Sequence, residues 1–295
     1  MLKVSIVTPS FNQVNYLEQT IQSVLSQDYP NLEYIIMDGG STDGSQRIIK
    51  KYEKFLHYWC SEQDQGQYDA ISKGFQMASG QVLAWLNSDD IYLPGTIKRV
   101  ATVFSQFRQI QWLTTTDQLV IDEYGRTLGT NKVPAYSLPA FLHGTYMLGA
   151  GFRYGYIQQE STFWTKGLWL KSGGFDPDIS LAADFDLWCR FFTHEKLYAL
   201  DQPLAAFRAH GNNRSNAIGE YEKQATNALG RLRRRHYWQS PGIYYRIIDA
   251  AARNQTLKKM PRFLSRLGIG VFHGEKVIAS DQCFENSYRI KHVRF

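Results

Sequence analysis

An α/β fold built around a mostly parallel sheet is the fold class that this sequence predicts, and two features indicate it. Apolar runs of strand length alternate with helical stripes of apolar residues throughout residues 1–120. Single helices between short strands also give right-handed crossovers, which make neighbouring strands parallel. From residue 220 onward the pattern turns helical and basic, so we expect a mainly helical extension after the sheet-forming part of the chain.

Four apolar runs predict the first four strands, at residues 4–7, 32–37, 57–60 and 82–86. Three helices are expected between them, because apolar residues recur there at helical spacing. The first helix follows Asn15, and Glu18 three residues later is typical of a capping box. A fourth helix, about residues 94–107, leads to a strand-like run at 112–122. Residues 125–160 predict loops and short elements that shape a second subsite.

The composition is that of a globular protein, since 43% of the 295 residues are hydrophobic and 14% are aromatic. No apolar run approaches the roughly 18 residues that a membrane-spanning helix needs. The N-terminus runs directly into the first strand, and no signal peptide is expected. Cys60, Cys189 and Cys283 are too few and too widely spaced for a disulfide framework or a zinc site. These features together predict a cytoplasmic protein.

Positive charge is concentrated at the end of the chain. Residues 1–219 carry 18 basic and 21 acidic residues, whereas residues 220–295 carry 15 and 6, a formal charge of +9. The run RLRRRHYW at 231–238 interleaves arginines with aromatic residues, as a patch for a membrane surface or for nucleic acid does. A solvated helix face is the alternative. We expect peripheral contact with the inner face of the cell membrane and no nucleic-acid partner.

Polar clusters follow each of the first four predicted strands. They read TPSFN (8–12), DGGSTDGS (38–45), EQDQGQYDA (62–70) and NSDD (87–90). In a parallel sheet, ligands bind beyond the carboxyl ends of the strands, where loops and helix N-termini converge. The four clusters are therefore expected at one edge of the sheet, as parts of one ligand site.

The adjacent acids Asp89 and Asp90 end the fourth apolar run, and neighbouring carboxylates repel each other. A divalent cation would compensate them, and oxygen ligands from these acids and Asn87 favour Mg²⁺ or Mn²⁺. A solvated turn before Pro94 is the alternative. Lys73 poses a similar choice, between neutralising a diphosphate from the third helix and lying at the surface.

Two stretches of the chain resemble the N-terminal half of family 2 inverting glycosyltransferases of the GT-A fold. They read VSIVTPSFNQVNYLEQTIQSVLSQDYPNLEYIIMDGGSTDGS and DQGQYDAISKGFQMASGQVLAWLNSDDIYLPG. Spaced motifs of this family match in order over roughly residues 3–215. The resemblance implies a UDP-, GDP- or dTDP-sugar donor and a divalent metal ion, Mn²⁺ or Mg²⁺.

The resemblance also implies a domain organisation. A Rossmann-like GT-A domain is expected at 1–219, with a nucleotide-binding half at 1–120 and an acceptor-side half at 121–219. The basic, mainly helical extension then covers 220–295.

Donor-binding residues follow from the matched motifs. In this family the loop after strand one and the acid after strand two hold the nucleoside, which implies that role for Pro9, Phe11, Asn12 and Asp38. Further nucleotide-sugar contacts are implied for Gly66, Asp69, Lys73, Asn87 and Ser88.

The DxD-type metal motif of the family corresponds to Asn87-Ser88-Asp89, with Asp89 as metal ligand and Asp90 beside it. The chain departs from the motif at Asn87, whose amide still bonds a ribose hydroxyl or a metal-bound water. AFRAHGNNRSN (206–216) resembles the Arg-x-His segment of the family, in which the histidine joins the metal shell or touches the diphosphate. His210 has that position, and an ordinary loop histidine is the alternative.

The stretch GGFDPDISLAADFDLWCRF (173–191) resembles the acceptor-side segment of the family. In that segment of the family, the second acid of an acidic pair is the catalytic base. That position is Asp184, and the preceding glutamate of the family is Ala183 here. QQESTFW (158–164) also matches and implies an acceptor-side Glu160. Arg208 and Trp188 are expected on the same side, with core packing as the alternative for Trp188.

The sequence therefore predicts an inverting glycosyltransferase that moves a hexose-type sugar to a hydroxyl of a glycan or lipid-linked glycan, in cell-surface polysaccharide or glycolipid synthesis. A carboxylate would take the acceptor proton while a metal neutralises phosphate. A nucleotidyltransferase is one alternative, although it would be expected to carry a Gly-rich, Arg-containing loop in place of TPSFN. A catalytically silent nucleotide-sugar-binding scaffold is the other alternative, because Ala183 and Asn87 depart from the motifs of the family.

Overall fold

Strands and helices alternate through most of the chain, as the sequence predicts. The computed structural model describes residues 1–147, 155–214, 217–236, 273–279 and 287–295. The strands are β1 (Val4–Ser10), β2 (Leu32–Asp38), β3 (Tyr58–Ser61), β4 (Val82–Trp85), β5 (Ile91–Tyr92), β6 (Trp112–Thr115), β7 (Asp117–Ile121), β8 (Thr127–Lys132), β9 (Phe163–Thr165), β10 (Tyr198–Leu200), β11 (Ala205–Arg208), β12 (His273–Ala279) and β13 (Tyr288–Arg294). The helices are α1 (Leu17–Leu25), α2 (Ser45–Tyr52), α3 (Gln67–Met77), α4 (Thr96–Gln106), α5 (Leu138–His143), α6 (Lys166–Ser172), α7 (Ala183–Phe191) and α8 (Ile218–Arg235).

The central sheet of the described residues has the strand order β13-β12-β10-β6-β9-β4-β1-β2-β3. Strands β4, β1, β2 and β3 are parallel to one another, and so are β6, β10 and β12. The short strand β9 runs antiparallel between these two groups, and β13 is antiparallel to β12 at the edge. The predicted α/β class with a mostly parallel sheet is therefore confirmed.

A second, smaller sheet has the order β5-β11-β7-β8. The strand-like run predicted at 112–122 divides into β6 and β7, which lie in different sheets. β11 pairs antiparallel with β5 and parallel with β7, so it lies between the loop after β4 and the β7–β8 hairpin. This sheet places residues 205–208 next to the loop after β4, residues 87–90, called the acidic loop below.

Two apolar cores cover the faces of the central sheet. Side chains of β2 alternate between them: Tyr34 and Ile36 pack with α1 and α4, whereas Ile35 and Met37 pack with α3 and α7. Such alternation is expected of a strand covered on both faces, because successive side chains point to opposite sides. The helical stripe of α1 is buried as predicted, at Leu17, Ile21 and Val24.

The predicted capping box of the first helix is wrong. Helix α1 begins at Leu17, and no side chain caps it. The carboxylate of Glu18 instead accepts hydrogen bonds from Lys51 Nζ (2.6 Å) and the Tyr52 hydroxyl (2.8 Å) of α2. A tertiary contact between the two helices therefore takes the place of the local motif.

The extension after residue 219 is helical only in part among the described residues. Helix α8 packs against α7, while β12 and β13 extend the central sheet beyond β10. The rest of the predicted helical extension, residues 237–272 and 280–286, lies outside the described residues. Within the described ranges, no helix combines the length and the apolar character that crossing a membrane demands.

Close packing of α3 on the sheet can be tested at Gly74. A methyl group added there would stand 2.5 Å from Val7 Cγ1 and 3.2 Å from Met37 Cγ. Gly74→Ala is expected to lower the free energy of unfolding by about 1–3 kcal/mol, measured by urea denaturation, because this interface is already filled. Gly230→Ala on α8 is the matched control, since its nearest neighbour is the flexible Arg234 at 3.7 Å, and it is expected to be neutral or stabilising by up to about 1 kcal/mol. Equal effects of the two substitutions would contradict the packing described.

Candidate active site

The predicted polar loops meet at the carboxyl edge of the sheet. The loop after β1 contacts the loop after β2, where Asn12 N donates to Ser41 Oγ (2.8 Å) and Thr42 N donates to Asn12 Oδ1 (3.0 Å). The start of α3 contacts the loop after β4, where Gln67 Nε2 donates to Asn87 Oδ1 (2.6 Å). Four segments separated in sequence therefore form one polar surface.

The part of this surface where we expect the nucleoside to bind contains the hydrogen-bonded carboxylate of Asp38 and the exposed ring of Phe11. Asp38 is buried and accepts hydrogen bonds from Ser41 N (2.9 Å), Ser41 Oγ (2.6 Å) and Ser61 Oγ (2.6 Å). Phe11 is 61% exposed, whereas Pro9 is buried within β1. The ring of Phe11 offers a stacking surface for a base, and Asp38 holds the loop beside it.

The glycine after Asp38 allows a close approach of three loops. A Cβ on Gly39 would stand 2.8 Å from Asp64 Oδ2 and 3.3 Å from Phe11 Cδ2. Asp64 Oδ1 accepts a hydrogen bond from Gly66 N (2.7 Å), and Gly66 has φ +111° before α3. Glycine at these positions therefore keeps Asp64 beside the exposed ring.

Lys73 and Asp69 form an ion pair on α3. Lys73 Nζ lies 3.1 Å from Asp69 Oδ2 and 3.7 Å from Glu62 Oε1. The hydrogen bond to Asp69 raises the pKa of Lys73, and a hydrogen bond from Gln65 N lowers the pKa of Asp69. Lys73 is a partly buried cation, and two carboxylates balance its charge.

The two adjacent acids point to different environments. Asp89 Oδ2 lies 2.9 Å from His210 Nε2, and the Asp89 side chain remains 16% exposed. Asp90 is fully buried, where its Oδ1 accepts a hydrogen bond from Arg208 N (2.8 Å) and its Oδ2 from Asn87 Nδ2 (3.3 Å). Burial first, and then the charges of Asp89 and Glu160, raise the pKa of Asp90 well above its usual range. Asp89 is therefore the acid that faces the site, and Asp90 lies beneath it.

His210 is held in one tautomer and one position. Its Nδ1 accepts a hydrogen bond from Asn212 N (3.2 Å), so the ring proton is on Nε2. The Nε2–H then donates a hydrogen bond to Asp89 Oδ2. The imidazole stacks on the ring of Tyr16, with centroids 4.7 Å apart, and is almost completely buried. This arrangement orients the Asp89 carboxylate.

The prediction of Arg208 on the acceptor side is wrong, because this side chain is completely buried below the acidic loop. Its guanidinium donates hydrogen bonds to four acceptors, namely Asp89 O (2.7 Å), Gln19 Oε1 (2.8 Å), Asp122 O (3.2 Å) and Glu123 O (3.2 Å). It also lies over the Tyr16 ring, 5.1 Å from the centroid. Arg208 therefore joins α1, the acidic loop and the β7–β8 turn.

Asn87 connects the acidic loop to the acceptor-side half of the chain. Its Nδ2 donates to Gln159 Oε1 (3.2 Å), and Gln159 Nε2 donates to Trp85 O (2.8 Å). Ser88 is buried next to it. The amide at the first position of the motif thus acts as a hydrogen-bond bridge, with donor and acceptor both in use, which a carboxylate could not provide.

Asp184 lies in the first turn of α7, in a setting that suits a general base. Burial raises the pKa of Asp184 to about 6, while hydrogen bonds from Phe185 N and Tyr221 and the charge of Arg214 act in the opposite direction. The Tyr221 hydroxyl, from α8, lies 3.4 Å from Asp184 Oδ1. Ala183, where the family pattern has a glutamate, is completely buried in the apolar core, so a charged residue there would be costly.

Glu160 interacts electrostatically with both Asp89 and Asp184. It is buried, and its Oε1 has no hydrogen-bond partner among the described residues. Burial raises the pKa of Glu160 to about 7, and the charges of Asp89 and Asp184 contribute to the shift. The charges of Asp89 and Asp184 therefore both act on one buried carboxyl group.

The prediction of Trp188 as an acceptor-side residue is wrong, whereas the core-packing alternative describes it. Trp188 is 1% exposed and lies stacked between Trp85 and Trp112, with centroids 6.1 and 5.5 Å away. A ring enclosed in this way offers no face to a sugar.

Sequence reasoning missed four residues that organise the site: Tyr16, Gln67, Arg214 and Tyr221. Arg214 donates to Gln67 Oε1 and to Ser180 O (2.8 Å), which ties the loop after β11 to the start of α3 and the segment before α7. Gln67 and Arg214 occur inside the motifs quoted above and were thus detectable as polar residues. Tyr16 lies in a quoted stretch as well, just before α1, and Tyr221 lies on α8. Neither was singled out, because aromatic residues in or next to helices are usually part of the core.

The donor set at Asp89 fits a hard divalent ion. Its Oδ1 makes no hydrogen bond within the described part of the chain, while Oδ2 is held by His210. Among the described residues, no cluster of three His, Cys, Asp or Glu side chains is arranged to bind a metal ion. Mg²⁺ and Mn²⁺ are commonly held by one or two carboxylates together with substrate phosphates and water, so the one partly exposed carboxylate of Asp89 is sufficient.

Comparisons with known proteins agree on the family and the fold. Residues 5–141 match the model of glycosyl transferase family 2. An uncharacterized glycosyltransferase of Rickettsia prowazekii is 26% identical over 245 residues, which cover 78% of this chain and 72% of that protein.

Two solved structures have a similar fold. TarS 1-349 of S. aureus, in complex with UDP-GlcNAc, is 16% identical with a TM-score of 0.59, over 90% of this chain and 80% of that one. Mannosyltransferase PcManGT of Pyrobaculum calidifontis, in complex with GDP-Man and Mn²⁺, is 12% identical with a TM-score of 0.54, over 91% and 85%.

The role of Arg208 in holding the acidic loop can be tested with Arg208→Lys. Lysine keeps the charge but cannot reach all four acceptors, so the free energy of unfolding is expected to fall by about 2 kcal/mol or more. Arg126→Lys is the matched control, because Arg126 pairs with Asp122 of the same turn but is 74% exposed, and a loss below about 1 kcal/mol is expected. Urea denaturation of both variants measures the difference. Equal losses would contradict the special role of Arg208.

Proposed function

We propose, since the chain belongs to glycosyl transferase family 2, that this glycosyltransferase uses a nucleotide-diphosphate sugar and inverts the anomeric configuration. The observation that supports the proposal is the contrast between two acids whose charges both raise the pKa of Glu160. The partly exposed carboxylate of Asp89 suits a metal-diphosphate group, and Asp184, with its raised pKa, suits proton transfer. Family membership also favours this activity over a nucleotidyltransferase.

Asp184 is proposed as the base that activates the acceptor. Its carboxylate takes the proton of the acceptor hydroxyl as that oxygen bonds to the anomeric carbon of the donor. The bond from the anomeric carbon to the diphosphate oxygen breaks in the same displacement, and the nucleoside diphosphate leaves. A single displacement inverts the configuration, and a base with a pKa near 6 is ionised at neutral pH yet strong enough to accept the proton.

Asp89 is proposed as the protein ligand of a divalent ion, Mn²⁺ or Mg²⁺. When bound, the ion would offset the negative charge of the leaving diphosphate. His210 orients Asp89 through its Nε2–H, a role that its hydrogen bonds favour over direct ligation. Asp90 holds the loop from beneath through Arg208 N, which likewise favours positioning over ligation.

The donor is proposed to be a UDP-, GDP- or dTDP-sugar. PcManGT is a complex with GDP-Man and Mn²⁺, and TarS 1-349 is a complex with UDP-GlcNAc, so proteins of this fold bind more than one nucleotide. Phe11 would stack on the base, with Asp38 and Asn12 shaping the loop around it. The acceptor is proposed to be a glycan or lipid-linked glycan at the inner membrane face, which the +9 charge of residues 220–295 favours.

A donor panel tests the proposal. The protein is incubated with UDP-GlcNAc, UDP-Glc, GDP-Man and dTDP-Glc in Mn²⁺, and release of the nucleoside diphosphate is measured. One donor is expected to react, with proton NMR of the fresh hydrolysis product showing first the anomer opposite to that of the donor. First appearance of the same anomer would contradict inversion, and no release from any sugar nucleotide would contradict the choice of donor class.

Asp184→Asn removes the proposed base with little change of shape. Release of the nucleoside diphosphate is expected to slow by about 10²–10⁴-fold, because proton transfer is lost, while nucleotide affinity changes less than about twofold. Asp178→Asn is the matched control, an exposed acid in the same segment, and full activity is expected. Retention of activity in Asp184→Asn would exclude this residue as the base.

The pH dependence of the reaction follows from the raised pKa of Asp184. Because the base must be ionised, kcat/KM is expected to fall about tenfold per pH unit below about pH 6 and to level off above it. The residual rate of Asp184→Asn is expected to lack this acid limb. A wild-type profile that is flat from about pH 5 to about pH 7 would contradict the assignment.

A further inference from the structure

A second cavity, of about 460 Å³, lies outside the site described above, between α7, α8 and the turn that joins α6 to α7. Its volume is within the range of small-ligand sites. Three arginines line it, namely Arg190 on α7 and Arg231 and Arg235 on α8. No part of the proposed donor site uses these residues.

The arginines of this cavity are only partly neutralised. The buried Asp186 is paired with both Arg190 Nη2 (2.8 Å) and Arg231 Nη2 (2.7 Å). Arg190 also donates to Ser172 O (2.6 Å) and Gly174 O, which uses its remaining nitrogen. Within the described residues, Arg231 Nε and Nη1 make no hydrogen bond, and Arg235 makes no hydrogen bond or ion pair.

The potential around the cavity is positive. Asp176 is the other acid of the lining, so three arginines face two carboxylates. The positive charge also acts outside the lining, at His194. Burial lowers the pKa of His194, and the charges of Lys171 and Arg235 lower it further. Free guanidinium nitrogens in a positive concavity are typical of phosphate recognition.

Much of the remaining lining is apolar, with Phe175, Pro177, Ala228 and Leu232 contributing to it beside Cys189 and the polar Thr193. An inorganic ion would leave this surface uncovered, whereas a phosphate ester of a hydrocarbon would cover it. The combination of guanidinium groups and apolar side chains therefore favours an amphiphilic phosphate over a free one.

The cavity and the proposed base both lie on the helix pair α7 and α8. Tyr221 of α8 contacts Asp184 of α7, and Arg231 follows ten residues later on the same helix. At 1.5 Å per residue this is a distance of about 15 Å along the helix axis. An acceptor whose sugar reaches Asp184 could therefore place a phosphate group near Arg231 and Arg235.

We infer that this cavity binds the diphosphate group of a lipid-linked acceptor, with the arginines of α8 holding the phosphates and the apolar lining covering the first carbons of the lipid. The inference rests on the proposed function, because it names the acceptor class for the base at Asp184. It also gives the basic helix α8 a specific ligand in place of a general attraction to membranes.

Calorimetric titration with farnesyl diphosphate tests the inference, in EDTA so that no metal ion supports the donor site. Wild-type protein is expected to bind farnesyl diphosphate, inorganic pyrophosphate more weakly, and farnesol not at all. Arg235→Gln is expected to weaken binding about tenfold, since charge-assisted hydrogen bonds to phosphate are lost. Arg234→Gln, an exposed neighbour outside the lining, is the matched control and is expected to bind as the wild type does.

Several results would overturn the inference: no binding of farnesyl diphosphate, equal binding of inorganic pyrophosphate, or equal losses in Arg234→Gln and Arg235→Gln. Asp89→Ala is expected to bind farnesyl diphosphate normally, and a loss there would mean that the probe occupies the donor site. Because the titration needs neither donor nor metal, its failure would leave the proposed transferase reaction intact. Conversely, failure of the donor panel would not alter the titration.

Discussion

The buried guanidinium of Arg208 is the interaction on which the proposed site depends. It holds the main chain of Asp89 from below, while its own backbone N–H is bound by Asp90 Oδ1. The two adjacent acids are therefore compatible because they face apart, one toward the core and one toward the site. The same guanidinium reaches α1 and the β7–β8 turn, so both sheets meet around one cation. Tyr16 completes this cluster by packing against both Arg208 and His210.

From this cluster the site extends through shared contacts. Asn87 joins the acidic loop to Gln67 and Gln159, and Gln67 joins Arg214, which stabilises the charge of Asp184. The buried Glu160 has its pKa raised by the charges of Asp89 and Asp184. The proposed division of labour between Asp89 and Asp184 is consistent with their different surroundings, since Asp89 is bound by His210 and Asp184 is contacted by Tyr221.

Much of the fold could be predicted from hydrophobic periodicity, since β1 to β4 and α1 to α4 carry clear apolar patterns. The three-residue strand β9 is too short to show a period, and only the tertiary structure reveals that it separates two parallel groups. Motifs singled out Asp89 and Asp184 as candidates, and the structure places the loop that carries Asp89 at the carboxyl edge of the sheet, as parallel strands predict. Burial could not be predicted for Arg208 or Trp188, since it depends on partners such as Asp89 that are distant in sequence. The same reason explains Tyr221, whose contact with Asp184 arises from the packing of α8 on α7.

The central claim is that Asp89 presents a metal ion to the diphosphate of a nucleotide. Calorimetric titration of UDP, GDP and dTDP, with and without Mn²⁺, against the wild type, Asp89→Ala and the exposed-acid control Asp178→Ala tests it most directly. We predict that one nucleotide binds the wild type and the control only with Mn²⁺, and that Asp89→Ala, still folded, loses this binding. Binding that is independent of Mn²⁺, or that survives in Asp89→Ala, would contradict the account.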